Sequence, residues 1–236
     1  IAVLERDSTL RGGLLAGALF ATEFACIFVG LQFTSASRMV VFIYLAPFVV
    51  ALGMPLISRG ERLSPSQWIG LATAFAGVAW AFAEAFSPTA AAPPRQWLGD
   101  ALGVAAALFW GATTLAIRAT PLTAASAEKT LLYQLAVSAL LLALAAPLAG
   151  EPWPVTWTAL SLGSLAFQTV IVTFASYLTW FWLLRHYPAT RISAFVLLTP
   201  VFGLAAGVGL LGEPLTLRLV VALLAVVLGL VLVNRR

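Results

Sequence analysis

Apolar residues run along this chain in stretches of about 20, separated by short breaks of polar residues and prolines. At 1.5 Å per residue, a helix of that length crosses the roughly 30 Å hydrocarbon core of a bilayer. The pattern therefore predicts an all-α integral membrane protein. Its eight predicted spans cover residues 11–32, 39–58, 67–86, 97–117, 129–149, 158–184, 192–211 and 216–234.

Two of the breaks carry specific signals. The run Ser64-Pro65-Ser66-Gln67 predicts a helix start, with Ser64 as N-cap, Pro65 at the first helical position and Gln67 closing a capping box. The longest break, residues 87–96, is rich in Pro and Ala, which favours a linker. It predicts a junction between two halves, 1–86 and 97–236.

Composition and charge agree with a membrane protein and orient it. The 236 residues are 61% hydrophobic and 9% charged, whereas soluble domains are about 25% charged. Because cytoplasmic loops retain Lys and Arg, the side with more basic residues is expected to be cytoplasmic. Ten of the 13 basic residues fall on the side of the C-terminus, and three, Arg38, Arg95 and Arg218, fall on the other. We expect a bacterial inner-membrane protein with a cytoplasmic C-terminus, and the basic residues, scattered at span ends, do not indicate nucleic-acid binding.

The sequence also contains an internal repeat. Ala36-Ser37-Arg38, Pro47-Phe48 and Gly60-Glu61-Arg62-Leu63-Ser64 return as Ala189-Thr190-Arg191, Pro200-Val201-Phe202 and Gly212-Glu213-Pro214-Leu215-Thr216, at an offset of 153 and then 152 residues. Matching spans lie five apart. Because five is odd, the two copies enter the membrane from opposite sides, which defines an inverted-topology repeat.

The repeat predicts more helices than the chain contains. The second copy has five spans and the first has three, and the counterpart of Trp97 would lie about 56 residues before Ile1. We therefore expect a 5+5 transporter fold of which eight of ten helices are present. Residues 1–86 would hold helices 3–5, residues 87–96 an outer linker and residues 97–236 helices 6–10.

These repeated motifs resemble the paired signatures of EamA-like transporters in the drug/metabolite transporter superfamily. The run Gln67-Trp68-Ile69-Gly70 to Ala76-Gly77-Val78, the pair Gly99-Asp100 followed by Leu108-Phe109-Trp110, and residues 177–184 are similar to further family motifs. The resemblance implies ten helices with both termini cytoplasmic, and usually the export of small metabolites.

Glu23 is the sharpest candidate for a functional residue. It lies near the middle of the span 11–32, where a carboxylate costs a few kcal/mol unless it is protonated, paired or facing water. It could bind a cationic or amino group, or carry a coupling proton. The alternative is a protonated side chain that is hydrogen-bonded between packed helices.

Four further residues with hydrogen-bonding groups lie deep in the spans. The family resemblance implies that they line a central cavity with aromatic walls and a few polar groups, as small-molecule pockets have. The alternative for each is ordinary helix packing. They are Tyr44, Trp110, Gln168 and Tyr177.

Two matched pairs suggest a helix break or a gate. Arg38 and Arg191 begin equivalent spans on opposite sides of the membrane, which favours a role in the fold of each half, with a gating salt bridge as the alternative. Pro47 and Pro200 lie within equivalent spans, where proline removes a helical hydrogen bond. Broken helices bind substrate in such transporters, although a packing kink explains the prolines equally well.

Enzyme, metal and nucleotide-binding motifs are absent from the sequence, and its single histidine, His186, lies in a predicted cytoplasmic loop. We therefore expect no cofactor, no metal and no catalytic residues. The expected function is secondary export of a small metabolite, such as an amino acid or an amphipathic drug, through the lipid bilayer by alternating access. An importer or exchanger, for example of a sugar conjugate, and a non-transporting membrane scaffold are the alternatives. Pairs of glycines such as Gly13 and Gly17 predict close helix packing, within the protein or in a homodimer.

Overall fold

The computed structural model describes residues 8–87, 95–150, 157–199, 202 and 217–234, and its regular elements there are all helical. The α-helices are α1 (Leu10–Gly30), α2 (Ala36–Ile43), α3 (Ala46–Ile57), α4 (Pro65–Ala81), α5 (Gln96–Ala119), α6 (Ala127–Leu148), α7 (Ala159–Phe167), α8 (Tyr177–His186), α9 (Ala189–Phe195) and α10 (Leu217–Asn234). A π-helical segment, Gln168–Ser176, connects α7 to α8.

Five of the predicted spans have helices long and apolar enough to cross a membrane, namely Leu10–Gly30, Ala36–Ile57, Gln96–Ala119, Ala127–Leu148 and Ala159–His186. Shorter apolar helices cover Ala189–Leu198 and Val220–Asn234. The all-α membrane fold is confirmed. Most of the predicted span 192–211 lies outside the described residues, as does most of the linker 87–96.

Local sequence explains several helix ends. Ser64 accepts a hydrogen bond from the Gln67 backbone while the Gln67 side chain accepts one from the Ser64 backbone, which is the predicted capping box. Pro65 begins α4. The predicted span 39–58 is divided at Tyr44 and Leu45, because Pro47, near the start of α3, has no N–H to continue the helix.

The described residues form two compact units. The first comprises residues up to Thr22 together with Ala116–Tyr187. In this unit α6 packs closely against the glycines of α1. A Cβ atom added to Gly17 would lie 2.5 Å from Val137 Cβ and 2.9 Å from the Tyr133 carbonyl oxygen. Glycine at this position therefore allows the two helices to touch.

The second unit comprises Glu23–Leu115 and the described residues after Pro188. Its core lies where α4 packs on α10, with Leu71, Ala74, Val226 and Leu230 all buried. The Gln67 amide donates a buried hydrogen bond of 2.8 Å to the Val233 carbonyl.

The contacts between α4 and α10 obey the symmetry of the repeat. A Cβ on Gly70 would lie 2.6 Å from the Gly229 carbonyl, and one on Gly77 would lie 2.8 Å from the Ala222 carbonyl. At the offset of 152, Ala222 is the counterpart of Gly70 and Gly229 is the counterpart of Gly77. The two contacts are therefore copies of each other, and the helices run antiparallel. This arrangement is the one that an inverted repeat requires.

Candidate functional site

Glu23 lies in the second half of α1 and is 5% exposed. Its Oε2 atom has no hydrogen-bond partner among the described residues. A buried carboxylate oxygen without a hydrogen-bond partner is costly when the group is ionised, so this position calls for an explanation. A carboxylate of this kind is what a site for an amine or a coupling proton needs.

Two other buried polar side chains have atoms without a hydrogen-bond partner in the described part of the chain. They are Gln134 in α6, at both its amide nitrogen and oxygen, and Ser193 in α9, at its hydroxyl. Buried polar groups are normally satisfied, so each unpartnered group calls for an explanation, such as a ligand or a water. The sequence reasoning missed both residues, although a glutamine in the middle of an apolar span is a signal of the same kind as Glu23.

Tyr44 and Trp110 lie in the second unit with Glu23. Tyr44 is 8% exposed and packs in the core cluster. Trp110 is half-buried on α5. Tyr44 is thus a core residue of this unit, and its place in a substrate cavity stays a prediction.

Gln168 and Tyr177 lie in the first unit. Gln168 begins the π-helical segment and is exposed, whereas Tyr177 is half-buried and packs edge-to-face on Phe20 at 5.5 Å between ring centroids. Their place in a cavity stays a prediction. A cleft in this unit is lined by other residues, including Arg118, Thr130, Phe181 and Arg185.

Arg38 forms a polar cluster with the start of α5. Its guanidinium donates two hydrogen bonds to the Asp100 carboxylate, from Nε to Oδ1 at 3.0 Å and from Nη2 to Oδ2 at 2.5 Å. Thr34 Oγ1 donates to Asp100 Oδ1 at 2.7 Å, and the guanidinium carbon lies 4.2 Å from the centre of the Phe86 ring. The planar, bidentate geometry and the aromatic stacking both favour arginine over lysine at this position.

The counterpart region in the second copy uses a different contact. The backbone N–H of Thr190, next to Arg191 at the start of α9, donates to the carboxylate of Glu61 at 3.2 Å. Both Glu61 and Thr190 are buried, and Arg191 is half-buried. A loop of the first copy therefore holds the start of a helix of the second copy.

Pro47 lies just after the division between α2 and α3, as described above. Its counterpart Pro200 lies outside the described residues. A function of either proline in gating stays a prediction.

The partnership of Arg38 with Asp100 was missed by the sequence reasoning, which named Asp100 only as part of a motif that resembles the family's. A signal was present, since the predicted topology puts both residues at the ends of their spans on the same side of the membrane. No group of three or more metal-binding side chains occurs within the described ranges.

Comparisons with known proteins agree with this architecture. The sequence model of the EamA-like transporter family matches residues 3–83 and 97–235. A protein of Bacillus subtilis described as the uncharacterized transporter YvbV is 26% identical over 208 residues, covering 88% of this chain and 66% of that protein. An uncharacterized transporter of Archaeoglobus fulgidus is 44% identical over 75 residues, covering 32% of this chain and 27% of that protein. The chain thus spans less than two thirds of the length of either relative.

A crystal structure of a protein that is 19% identical superimposes with a TM-score of 0.82, covering 99% of this chain and 78% of that one. This likeness shows a shared fold. Because the family's sequence model matches both repeats and most of the residues, the chain belongs to the EamA-like transporter family.

Proposed function

We propose that this chain works in a secondary transporter that exports a small metabolite, an amino acid or an amphipathic drug, across the bacterial inner membrane. One half of the protein would rock against the other to expose the site alternately to each side. Membership of a transporter family and two relatives described as transporters support this proposal.

The observation that carries the proposal is the burial of Glu23, whose Oε2 atom has no hydrogen-bond partner among the described residues. A buried carboxylate in a membrane helix is stable when it holds a proton or a cationic group, and it must release one before it takes the other. Glu23 would therefore couple the binding of an amine to the loss of a proton. Export driven by inward proton movement follows from such competition.

The test is counterflow in proteoliposomes containing the complete polypeptide, measured at two pH values with a panel of amino acids and cationic drugs. Glu23→Gln removes the charge while preserving the shape, so we expect it to abolish the pH dependence and reduce uptake of cationic substrates. Glu23→Asp should retain the pH dependence. The matched control is Glu128→Gln, because Glu128 lies exposed near the start of α6.

Unchanged uptake and unchanged pH dependence in Glu23→Gln would contradict the proposed role. An exchanger would be indicated if vesicles without internal substrate took up none even under an imposed proton gradient, and an importer if a gradient alone drove uptake in the inward direction. A scaffold would be indicated if the complete, folded polypeptide transported no member of the panel.

The Arg38–Asp100 pair supports a second element of the proposal, a gate on the outer side. The pair joins the start of α2 to the start of α5. The Arg38 side chain is 14% exposed and the Asp100 side chain is 18% exposed. We propose that the pair holds these helix ends together when the outer side is closed. Arg191 and the Glu61 contact to Thr190 would act on the cytoplasmic side.

A further inference from the structure

A cleft lies within the first compact unit, where α5 ends, α6 begins and α8 ends. The predicted topology puts these three helix ends at the same membrane surface, the one expected to be cytoplasmic. Apolar side chains form the larger part of the described lining. The most buried of them, each at most 5% exposed, are Ile117, Leu122, Phe181 and Leu184. The cleft therefore offers apolar surface at the level of the lipid headgroups.

Two arginines also line this cleft. Arg118 is half-buried in the last turn of α5 and donates a hydrogen bond of 2.9 Å from Nη1 to the Leu184 carbonyl. Leu184 directly precedes Arg185, which is exposed in the last turn of α8. The hydrogen bond thus brings two cationic residues to one cleft, and like charges held close together repel. An anion between them replaces this repulsion with attraction.

The neighbouring charges leave this end of the unit positive. Within the part of the lining that the structure describes, no acidic residue occurs. Glu128, exposed in the first turn of α6, attracts Arg185 and offsets part of its charge. Lys129, which is buried next to it in the sequence, adds a further positive charge. Arg118, Arg185 and Lys129 together outweigh the single carboxylate, so the cleft favours an anionic ligand.

We propose that this cleft binds the headgroup of an anionic phospholipid. Arg118 and Arg185 bind its phosphate, because the planar fork of a guanidinium fits two oxygens of a phosphate group. The glycerol and the first carbons of an acyl chain lie against the apolar lining.

The surroundings of the arginines favour a lipid over a soluble phosphate. A free anion gains nothing from the apolar lining, whereas an acyl chain does. Trp182 follows Phe181 in α8 and is 49% exposed, so apolar surface continues from the cleft to the outside of the helix. An acyl chain can lie along this surface, with the tryptophan at the level where aromatic residues meet the headgroups.

The experiment titrates the full chain in detergent micelles with phosphatidylglycerol or with phosphatidylcholine. Native mass spectrometry counts the bound lipids, and thermal unfolding follows the midpoint. We expect a several-fold preference for phosphatidylglycerol and a higher midpoint, because a ligand that binds only the folded state stabilises it. Arg185→Gln should remove most of the preference. Arg185→Lys should retain part of it, since lysine keeps the charge but not the fork.

Arg59→Gln is the matched control. Arg59 is also exposed and is expected at the same membrane surface, but it does not line the cleft. We expect this variant to keep the preference of the unchanged protein. The proposal is overturned if Arg59→Gln and Arg185→Gln lose the preference equally, or if the unchanged protein has no preference.

Inorganic phosphate and glycerol 3-phosphate distinguish a lipid from a soluble anion. Each is added without phosphatidylglycerol, at an ionic strength matched with chloride. If either raises the unfolding midpoint as much as phosphatidylglycerol does, the cleft takes a soluble phosphate and the proposed occupant is wrong. Binding of phosphatidylglycerol that depends on Arg185, with no effect of the soluble phosphates, supports the lipid site.

Discussion

Two acidic side chains illustrate how much a residue's partners determine its chemistry. Glu23 is buried and its Oε2 atom has no hydrogen-bond partner in the described part of the chain, whereas Asp100 accepts three hydrogen bonds, two of them from Arg38. The first carboxylate is available to a proton or to a ligand, and the second is occupied by the protein itself. Sequence position suggested that both lie in membrane helices, but only the structure separates their roles.

The Arg38–Asp100 pair provides a prediction of stability. Asp100→Asn removes the charge from a partly buried, bidentate interaction, and we expect a loss of about 1–3 kcal/mol in the free energy of unfolding, the size of a hydrogen bond to a charged group. Arg38→Lys should lower the free energy of unfolding by a smaller amount, because lysine can neither bind the carboxylate bidentately nor stack in the same way on Phe86. Thermal unfolding in detergent measures both.

The control for this pair is Arg62→Lys, at an exposed loop position, which should leave stability unchanged. A double-mutant cycle with Arg38→Met and Asp100→Leu isolates the coupling between the two residues. Additive effects of these substitutions would mean that the pair contributes nothing, and the proposed outer gate would lose its basis.

At the level of the helices, contacts made through glycine leave the least room for substitution. In the α4–α10 contact, backbone carbonyl oxygens of α10 lie so close to Gly70 and Gly77 that neither position has room for a side chain. By contrast, a Cβ on Gly163 in α7 would meet no atom within 4 Å. The same residue type is therefore indispensable in one helix and replaceable in another.

These positions give a prediction at the level of helices. Gly70→Ala should destabilise the protein by about 1–3 kcal/mol, because overpacking pushes α4 away from α10. Gly163→Ala should be neutral or stabilise by up to about 1 kcal/mol, because alanine is the better helix former. Unfolding midpoints of the two variants provide the comparison. A destabilised Gly163→Ala with an unaffected Gly70→Ala would contradict the packing described above.

The sequence predicted where most membrane spans lie, but it predicted the irregular segments within those spans poorly. Hydrophobic length and caps identified α1, α4, α5 and α6 because burial in lipid and helix capping are local properties. The division at Tyr44 and Leu45 was foreseen only as a consequence of Pro47. The π-helical segment was not foreseen, since nothing in Gln168–Ser176 departs from an ordinary apolar helix pattern.

The same limit applies to the candidate site. Glu23 was found because a charged residue inside an apolar span stands out in the sequence. The partner of Arg38, and the lack of a hydrogen-bond partner for Gln134 and Ser193 among the residues that the structure describes, depend on which helices face each other. That information comes from tertiary packing, which a single sequence does not contain.

For the whole molecule, the orientation in the membrane remains a prediction based on the basic residues. With Cys26→Ala as background, Arg95→Cys should react with a membrane-impermeant maleimide added to intact cells, because the linker is expected outside. Arg62→Cys should react only after permeabilisation. Both positions are exposed, so accessibility within the protein does not explain a difference. The reverse labelling pattern would invert the proposed topology.

The antiparallel contact between α4 and α10 has a consequence for a polypeptide that carries a single repeat. Because Gly70 meets Gly229 as its counterpart Ala222 meets Gly77, the surface is complementary to itself. Two identical half-length chains could dock through it, provided that they insert into the membrane in opposite orientations. Joining both halves in one polypeptide secures a one-to-one ratio of the two orientations, which separate chains would achieve only by chance.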